Sequence, residues 1–403
     1  MPRSGPTEPR DPVARGRGQP TRHALFATCA PGLEPALYAE VRELRFAKPE
    51  QQVGGVYFEG TAADTWRANL ELRTAVRVLL RLGRFAAPDA DALYAGVQAT
   101  DWESYLAPHS TLAVLAQTRD SSLTHSEFIA QRTKDAIVDQ FRQRLGTRPS
   151  VDRDDPDLLV HIHLSRDRAT LSLDTSGPAL HRRGWRRHQG RAPLAENLAA
   201  GVVLLSGWDR RAPLIDPFCG SGTLLIEAAW LAAGRPPGGL RSFGFERWPG
   251  HDDRRWQALR GPAVARPPHP RRPRLIGSDI DPERVEQARQ NAAAAGVGDW
   301  VQFEVADAGT FAPRPGWNAW IASNLPYGRR IGDDRRRRAA LQRFGRAMRT
   351  NAAGYRYALL CGNDEDAPTL GLTAGRSIAL LNGGIPITLL LGAVDDPTST
   401  ASG

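Results

Sequence analysis

Cysteine is scarce in this 403-residue chain: Cys29, Cys219 and Cys361 are scattered, odd in number and without C-x-x-C spacing. That argues against a disulfide framework and a zinc site, no metal is expected, and a reducing cytosol suits the usage. No apolar run is long and charge-free enough to span a bilayer. Residues 1–22 are rich in Pro, Gly and Arg and lack an apolar centre, so they read as a disordered basic tail rather than a signal peptide. Residues 393–403 read as a second tail. Lysine is nearly absent, with Lys48 and Lys134 alone, so almost all the positive charge is arginine.

What is present is a large core and a basic balance. With 41% hydrophobic and 24% charged residues the chain should hold two or three domains, and a net charge of +9 suggests a polyanionic partner. The stretch Pro213–Gly234, PLIDPFCGSGTLLIEAAWLAAG, has the form of a strand, a glycine turn and a helix. Leu214 and Ile215 suit a short buried strand, and Asp216 ends it at the edge where open α/β sheets bind ligands. Pro217 and Phe218 lead into the turn, Gly220 and Gly222 allow close backbone approach, and the helix starts at Thr223. The turn departs from a dinucleotide G-x-G-x-x-G fingerprint. It resembles the first motif of S-adenosylmethionine-dependent methyltransferases.

Residues 23–60 read as strand, amphipathic helix and strand, with Leu33, Leu37, Val41 and Leu44 on one helix face. Residues 61–84 read as a further helical stretch offering Trp66, Leu70 and Val76 to Leu80 to a core. From Ala92 to Thr175 come a strand, a long helix and a hairpin turning at Arg166 to Arg168. Its Leu158, Val160, Ile162 and Leu164 alternate with Leu159, His161 and His163. The two histidines have no third ligand nearby and read as a polar sheet face. TKDAIVDQFR, VDRDDPDLLVHIHL and LSLDTSGPALHRRGWR resemble a THUMP RNA-binding module, here placed at 61–177 behind a ferredoxin-like segment at 23–60. The resemblance implies that the module holds structured RNA without fixing individual contacts; Lys134 is a candidate RNA-binding residue.

The link 178–192, PALHRRGWRRHQGRA, sets Arg182, Arg183, Arg186, Arg187 and Arg191 around Trp185. Such a group can grip phosphates and stack on a base; equally, Trp185 can be docked into a domain. The helix after it, with Leu194, Leu198 and Val202 on one face, begins at Glu196 and Asn197, which either reach the amino acid end of the cofactor or serve the helix start.

A second strand ends at Asp279, placed to accept ribose hydroxyls, and Asp281 reads as the cap of the next helix. Val301, Phe303 and Val305 lie on a third strand ending at Asp307, where the resemblance implies contact with the adenine amino group. A fourth strand delivers Asn324, Leu325, Pro326, Tyr327 and Gly328, similar to the N-P-P-Y loop of methyltransferases that modify base amino groups. The Asn oxygen and the Pro326 carbonyl can accept the two hydrogens of a weakly nucleophilic exocyclic amine, and Tyr327 can stack on a base turned out of its helix. A helix, a fifth strand and a hairpin turning at Asn382-Gly383 close the sheet.

The fold expected is therefore α/β: a Rossmann-like methyltransferase domain over 193–392, with a parallel sheet and an antiparallel terminal hairpin, behind an α+β ferredoxin-like segment and a THUMP domain. LHRRGWR, APLAENLAAG, DPFCGSGTLLIEAAWLAAGRPPGGLR and SNLPYG most resemble the guanine-N2-methyltransferases of bacterial 23S ribosomal RNA. That implies transfer from S-adenosylmethionine to N2 of a guanosine, on 23S rRNA or an assembly intermediate, in the cytoplasm. Some members carry a second methyltransferase domain, for which this chain ends too soon, so one methylation is expected. A tRNA guanine-N2-methyltransferase and a non-catalytic ribosome-assembly factor are the rival readings. The oligomeric state is not specified by the sequence.

Overall fold

The computed structural model describes residues 21–188, 193–267, 271–327, 334–362 and 366–395. Most of both expected tails, Arg191 and Gly328 lie outside the described residues.

These residues form two sheets. The first is made by β1 (His23–Thr28), α1 (Glu34–Glu43), β2 (Ala47–Gln52), β3 (Gly55–Gly60), α2 (Ala62–Glu71), β4 (Arg77–Ala86), α3 (Ala90–Gln98), β5 (Thr111–Arg119), α4 (Ser126–Leu145), β6 (Ser150–Val151), β7 (Leu158–Ser165) and β8 (Arg168–Asp174). Its spatial order is β2-β3-β1-β4-β8-β7-β5-β6. The antiparallel pair β4–β8 thus fuses the N-terminal segment to the module that follows.

The helix expected over 61–84 stops at Glu71, and after a bend over 72–76 the stretch is strand from Arg77. Two causes act together. The buried Glu40 carboxylate accepts the N–H groups of Arg73 and Thr74 at 2.8 and 3.0 Å, taking both donors away from a helical ladder. Val78, Leu79 and Leu80 are all buried, because β4 lies between β1 and β8 and has both faces covered. The boundary expected at residue 60 therefore falls inside a sheet whose β4 returns to pair with β1. α3, not foreseen, starts where the Asp89 carboxylate accepts the N–H groups of Asp91 and Ala92.

The second sheet follows from α5 (Glu196–Leu205), β9 (Leu214–Asp216), α6 (Thr223–Ala233), α7 (Asp253–Val264), β10 (Leu275–Asp279), α8 (Pro282–Ala294), β11 (Val301–Val305), β12 (Trp320–Asn324), α9 (Asp334–Asn351), β13 (Arg356–Cys361), α10 (Asp366–Leu370), β14 (Arg376–Asn382) and β15 (Ile385–Ala393). Its order is β11-β10-β9-β12-β13-β15-β14, parallel through β13 and antiparallel over β15 and β14. The closing turn is Gly383-Gly384, both with positive φ of 56° and 84°, and Asn382 stays in the strand opposite Ile385. A two-residue turn of that hand matches strand twist and needs residues free of Cβ strain.

α6 is buried on every side. It lies between its own sheet and the N-terminal half, whose Leu70 carbonyl receives the Gly238 N–H at 2.9 Å. The link 178–188 works inside this junction. Arg183 is 1% exposed; its guanidinium pairs with Glu227 of α6 at 3.2 Å and donates to the carbonyls of Leu180 at 2.8 Å and Arg73 at 2.6 Å. Trp185 is wholly buried. Arg186 pairs with Glu196 at 2.8 Å and donates to Leu194 and Thr223. The reading of Arg183, Trp185 and Arg186 as RNA contacts is therefore corrected: their side chains are consumed within the protein, and Trp185 offers no face to a base. Arg182 and Arg187 are exposed. Lys134 lies half-buried on α4, paired with Asp135.

Because Arg183 and Glu227 are both sealed from solvent, removing one partner leaves an uncompensated buried charge. Arg183→Ala is expected to lower the unfolding free energy by about 3–5 kcal/mol in chemical denaturation. A loss below about 1 kcal/mol, as exposed pairs give, would contradict the clamp.

Candidate active site

β9 is short and apolar because it lies between β10 and β12, covered on both faces. The chain order reverses across β9, a switch point where the carboxyl ends of three parallel strands open onto one crevice. There the structure brings together Asp216, Asp279 and Asn324, in the wall of a cleft of about 540 Å³ that also holds Phe218, Gly220, Thr223, Pro326 and Tyr327.

Asp216 is 1% exposed, and its carboxylate accepts Ser323 Oγ at 2.5 Å and the Phe218 N–H at 3.2 Å. Burial raises its pKa to about 7; the two hydrogen bonds work against that, and the nearby Asp279 adds to it. In the turn, Gly220 (φ 51°) gives its N–H to Asp279 at 3.0 Å, and a Cβ there would meet nothing within 4 Å, so its backbone faces open space. Gly222 (φ 83°) serves packing instead: a Cβ would meet Phe303 at 3.0 Å and Ala288 at 3.1 Å. Pro217 is buried beneath the turn, and Phe218 is braced edge-on by Phe344 at 5.1 Å. Cys219 is buried, with its thiol pushed up by desolvation, which makes it packing rather than a nucleophile.

The second oxygen of Asp279 accepts the Asp281 N–H at 3.0 Å, and Asp281 caps α8 as expected. The Asp279 carboxylate is thus aimed by two backbone amides and lines the cleft. Asp307 lies just past β11, which ends at Val305, and it is not on the cleft wall. Its carboxylate accepts the Gly309 N–H at 2.8 Å and pairs with Arg343 at 3.0 Å, so it is a turn cap tied to α9. Glu196 is 4% exposed and spent on Arg186; Pro193 and Leu194 line the cleft in its place. In this structure both carboxylates thus have protein partners, Arg343 for Asp307 and Arg186 for Glu196, and neither lines this cleft.

The loop after β12 carries the most telling atom. Asn324 Oδ1 is buried without a hydrogen-bond partner at the cleft wall. An unpaired buried acceptor costs roughly 1–3 kcal/mol, which a donor arriving in the cleft would recover. The Leu325 N–H bonds the Leu360 carbonyl at 3.1 Å, which pins the loop, and Pro326 is exposed beside it. Tyr327 Oη accepts from Asn382 Nδ2 at 2.6 Å. Four participants escaped the sequence reading: Ser323, exposed Ile280 beside Asp279, Asn382 and Gly362. Strand alternation next to Asn324 could have flagged Ser323; Asn382 looked like turn chemistry, and no spacing ties it to Tyr327. Among the described residues no His, Cys, Asp and Glu cluster fits a metal.

A doubly wound sheet, an open glycine turn beside a fixed strand-end carboxylate and an orphaned amide acceptor define a Rossmann-like methyltransferase domain. A family model described as an RMKL-like methyltransferase domain matches residues 183–388, a THUMP domain model matches 87–174, and one described as the RlmL ferredoxin-like domain matches 24–79. The chain belongs to the RMKL-like methyltransferase family. The ribosomal RNA large subunit methyltransferase K/L of Methylococcus capsulatus is 42% identical over 92% of this chain and 51% of its own length; that of Pseudomonas paraeruginosa is 40% identical over 92% and 52%. The chain thus spans about half the length of the curated relatives it matches. Among solved structures, the methyltransferase SMU.472 complexed with SAH is 31% identical with a TM-score of 0.84, covering 94% of this chain and all of that one. A protein of Listeria monocytogenes described as a predicted N6-adenine-specific DNA methylase has the same identity and TM-score, over 92% of this chain and 96% of its own.

Gly362 is where the catalytic loop has least room: a Cβ there would lie 2.2 Å from Tyr327 Cβ. Gly362→Ala should therefore displace Tyr327 and lower methyl transfer by at least about tenfold, with cofactor affinity kept. Unchanged turnover would show that the loop position does not matter.

Proposed function

We propose that the chain transfers a methyl group from S-adenosylmethionine to N2 of a guanosine in 23S ribosomal RNA, in the cytoplasm. The observation that carries this reading is the buried, unpartnered Oδ1 of Asn324, which sits beside Pro326 and Tyr327 in the cleft. An acceptor without a donor suits an incoming amino group, and the exocyclic amine of guanine has two hydrogens to give. The matched THUMP module, the net charge of +9 and the large-subunit ribosomal RNA enzymes among its relatives favour RNA over DNA.

The cleft fits the cofactor. Gly220 leaves open space at the backbone, Asp279 keeps acceptor capacity for ribose hydroxyls, Ile280 offers an apolar surface and Asp216 can meet positive charge. When bound, S-adenosylmethionine supplies a methyl group activated by a sulfonium. Asn324 Oδ1 and the Pro326 carbonyl accept the amine hydrogens, orient the nitrogen lone pair and stabilise the positive charge that develops on nitrogen as its bond to the methyl carbon forms and the bond from that carbon to sulfur breaks; the nitrogen then loses one proton to solvent. Tyr327 holds the base plane. No covalent enzyme intermediate is needed, and the buried thiol of Cys219 is unsuited to forming one.

Asn324→Ala should lower kcat by about 10²–10³-fold on 23S rRNA transcribed without modifications, with cofactor and RNA binding kept. Loss of RNA binding in step with activity would favour a purely structural role for the loop, and activity on tRNA alone would move the substrate. A second expectation concerns pH. Asp216 is half protonated near pH 7 in the free chain, and a cationic ligand favours its ionised form. Affinity for S-adenosylmethionine, followed by calorimetry, should therefore rise as pH increases through about 7. Asp216→Asn should bind more weakly and with a flatter profile; an identical profile in the variant would remove Asp216 from cofactor binding.

A further inference from the structure

A second cleft, of about 740 Å³, opens beside the first. Four segments form it: Ala30 and Val76 in loops bordering β1 and β4, the link at 181–186, the start of α5 with the residues before it, and the tip of the β14–β15 hairpin. The two clefts share Pro193 and Leu194, and the Asn382–Tyr327 hydrogen bond joins the wall of one to the wall of the other. The glycine turn, Asp279 and Ile280 take up the cofactor side of the first cleft. A base that reached Asn324 past Tyr327 would border the second cleft.

The chemistry of this second cleft suits a strand of RNA. The Arg183 charge is cancelled by Glu227 and the Arg186 charge by Glu196, which leaves Arg182 as the exposed guanidinium on the rim. His181 is kept toward its neutral form by desolvation, free to stack or hydrogen-bond. Across from them, the Gly383-Gly384 turn is exposed and a Cβ at either position would meet nothing within 4 Å, so a sugar-phosphate can approach its backbone.

We propose that this cleft seats the nucleotide flanking the target guanosine, with Arg182 on its phosphate, the glycine turn against its backbone and Asn382 setting Tyr327 for the neighbouring base. The inference rests on the RNA substrate proposed above and names a site beyond the catalytic loop. Arg182 acts by binding, and Asn382 is a positioning residue.

The test uses the full chain, S-adenosylmethionine and 23S rRNA transcribed without modifications. Ultraviolet crosslinking followed by peptide mass spectrometry should place crosslinks in the segments around Arg182 and Gly383. Arg182→Glu and Gly383→Asp, the latter at an exposed position with φ of 56° that Asp tolerates, should each raise the KM for RNA about tenfold with kcat and cofactor affinity kept. Arg254→Glu, an equal charge change at an exposed site on α7 outside the cleft, should have a clearly smaller effect. For Asn382, kcat rather than KM should fall in Asn382→Leu, and the loss should not add to that of Tyr327→Phe. Crosslinks confined to other surfaces, or an equal rise in KM for Arg254→Glu, would overturn the cleft; additive losses would overturn the role of Asn382. Cleft crosslinks without methyl transfer by the wild type would keep the site and refute the guanosine reading, and transfer without cleft crosslinks would do the reverse.

Discussion

The structure depends on the parallel pairing of β9 with β10 on one side and β12 on the other. Three strands that run the same way and end together present Asp216, Asp279 and Asn324 along one edge, from positions spread over 108 residues of sequence. The bond from Ser323 to Asp216 locks the first loop to the catalytic strand, and the bond from Gly220 to Asp279 locks it to its other neighbour. The burial that makes this edge rigid also raises the pKa of Asp216 and leaves Asn324 Oδ1 unpaired. Those features are costly in a resting protein, and they gain a use when a cationic ligand and an amine enter the cleft.

A second constraint sets how the two halves sit. Arg183 crosses from the link to Glu227 on α6 while holding the Arg73 carbonyl at the end of the first sheet's α2–β4 corner, and Glu40 secures that corner from the other side. Arg241 adds donors to the carbonyls of Ser176 and Ala179. Buried ion pairs are a weak source of net stability but a strong source of geometry, since alternative arrangements leave charges unpaired. The module matched as THUMP and the cleft at the ends of β9, β10 and β12 are thereby held at a fixed relation.

The strand, glycine turn and helix around Gly220, the strand ends at Asp216 and Asp279 and the loop after Asn324 were legible in the sequence because each is local: a strand, a glycine and a polar residue within a few positions. What failed depended on distant partners. The run 77–84 has the composition of either element and becomes strand because β1 and β8 flank it and Glu40 stops α2. Arg183, Trp185 and Arg186 looked like an RNA-gripping cluster, yet Arg183 is claimed by Glu227, 44 residues on, Arg186 by Glu196, and Trp185 is buried. Asp307 sits at the expected strand end, but Arg343 from α9 claims it. Asn382 reads as turn chemistry, and the turn itself fell one residue later than expected, on Gly383-Gly384.

The most direct measurement is nucleoside mass spectrometry of purified 23S rRNA and tRNA from a strain lacking this gene, beside the parent strain. One N2-methylguanosine should disappear from 23S rRNA, with the tRNA content unchanged, and should return with the wild-type gene but not with the Asn324→Ala gene. An unchanged N2-methylguanosine content in 23S rRNA would contradict it.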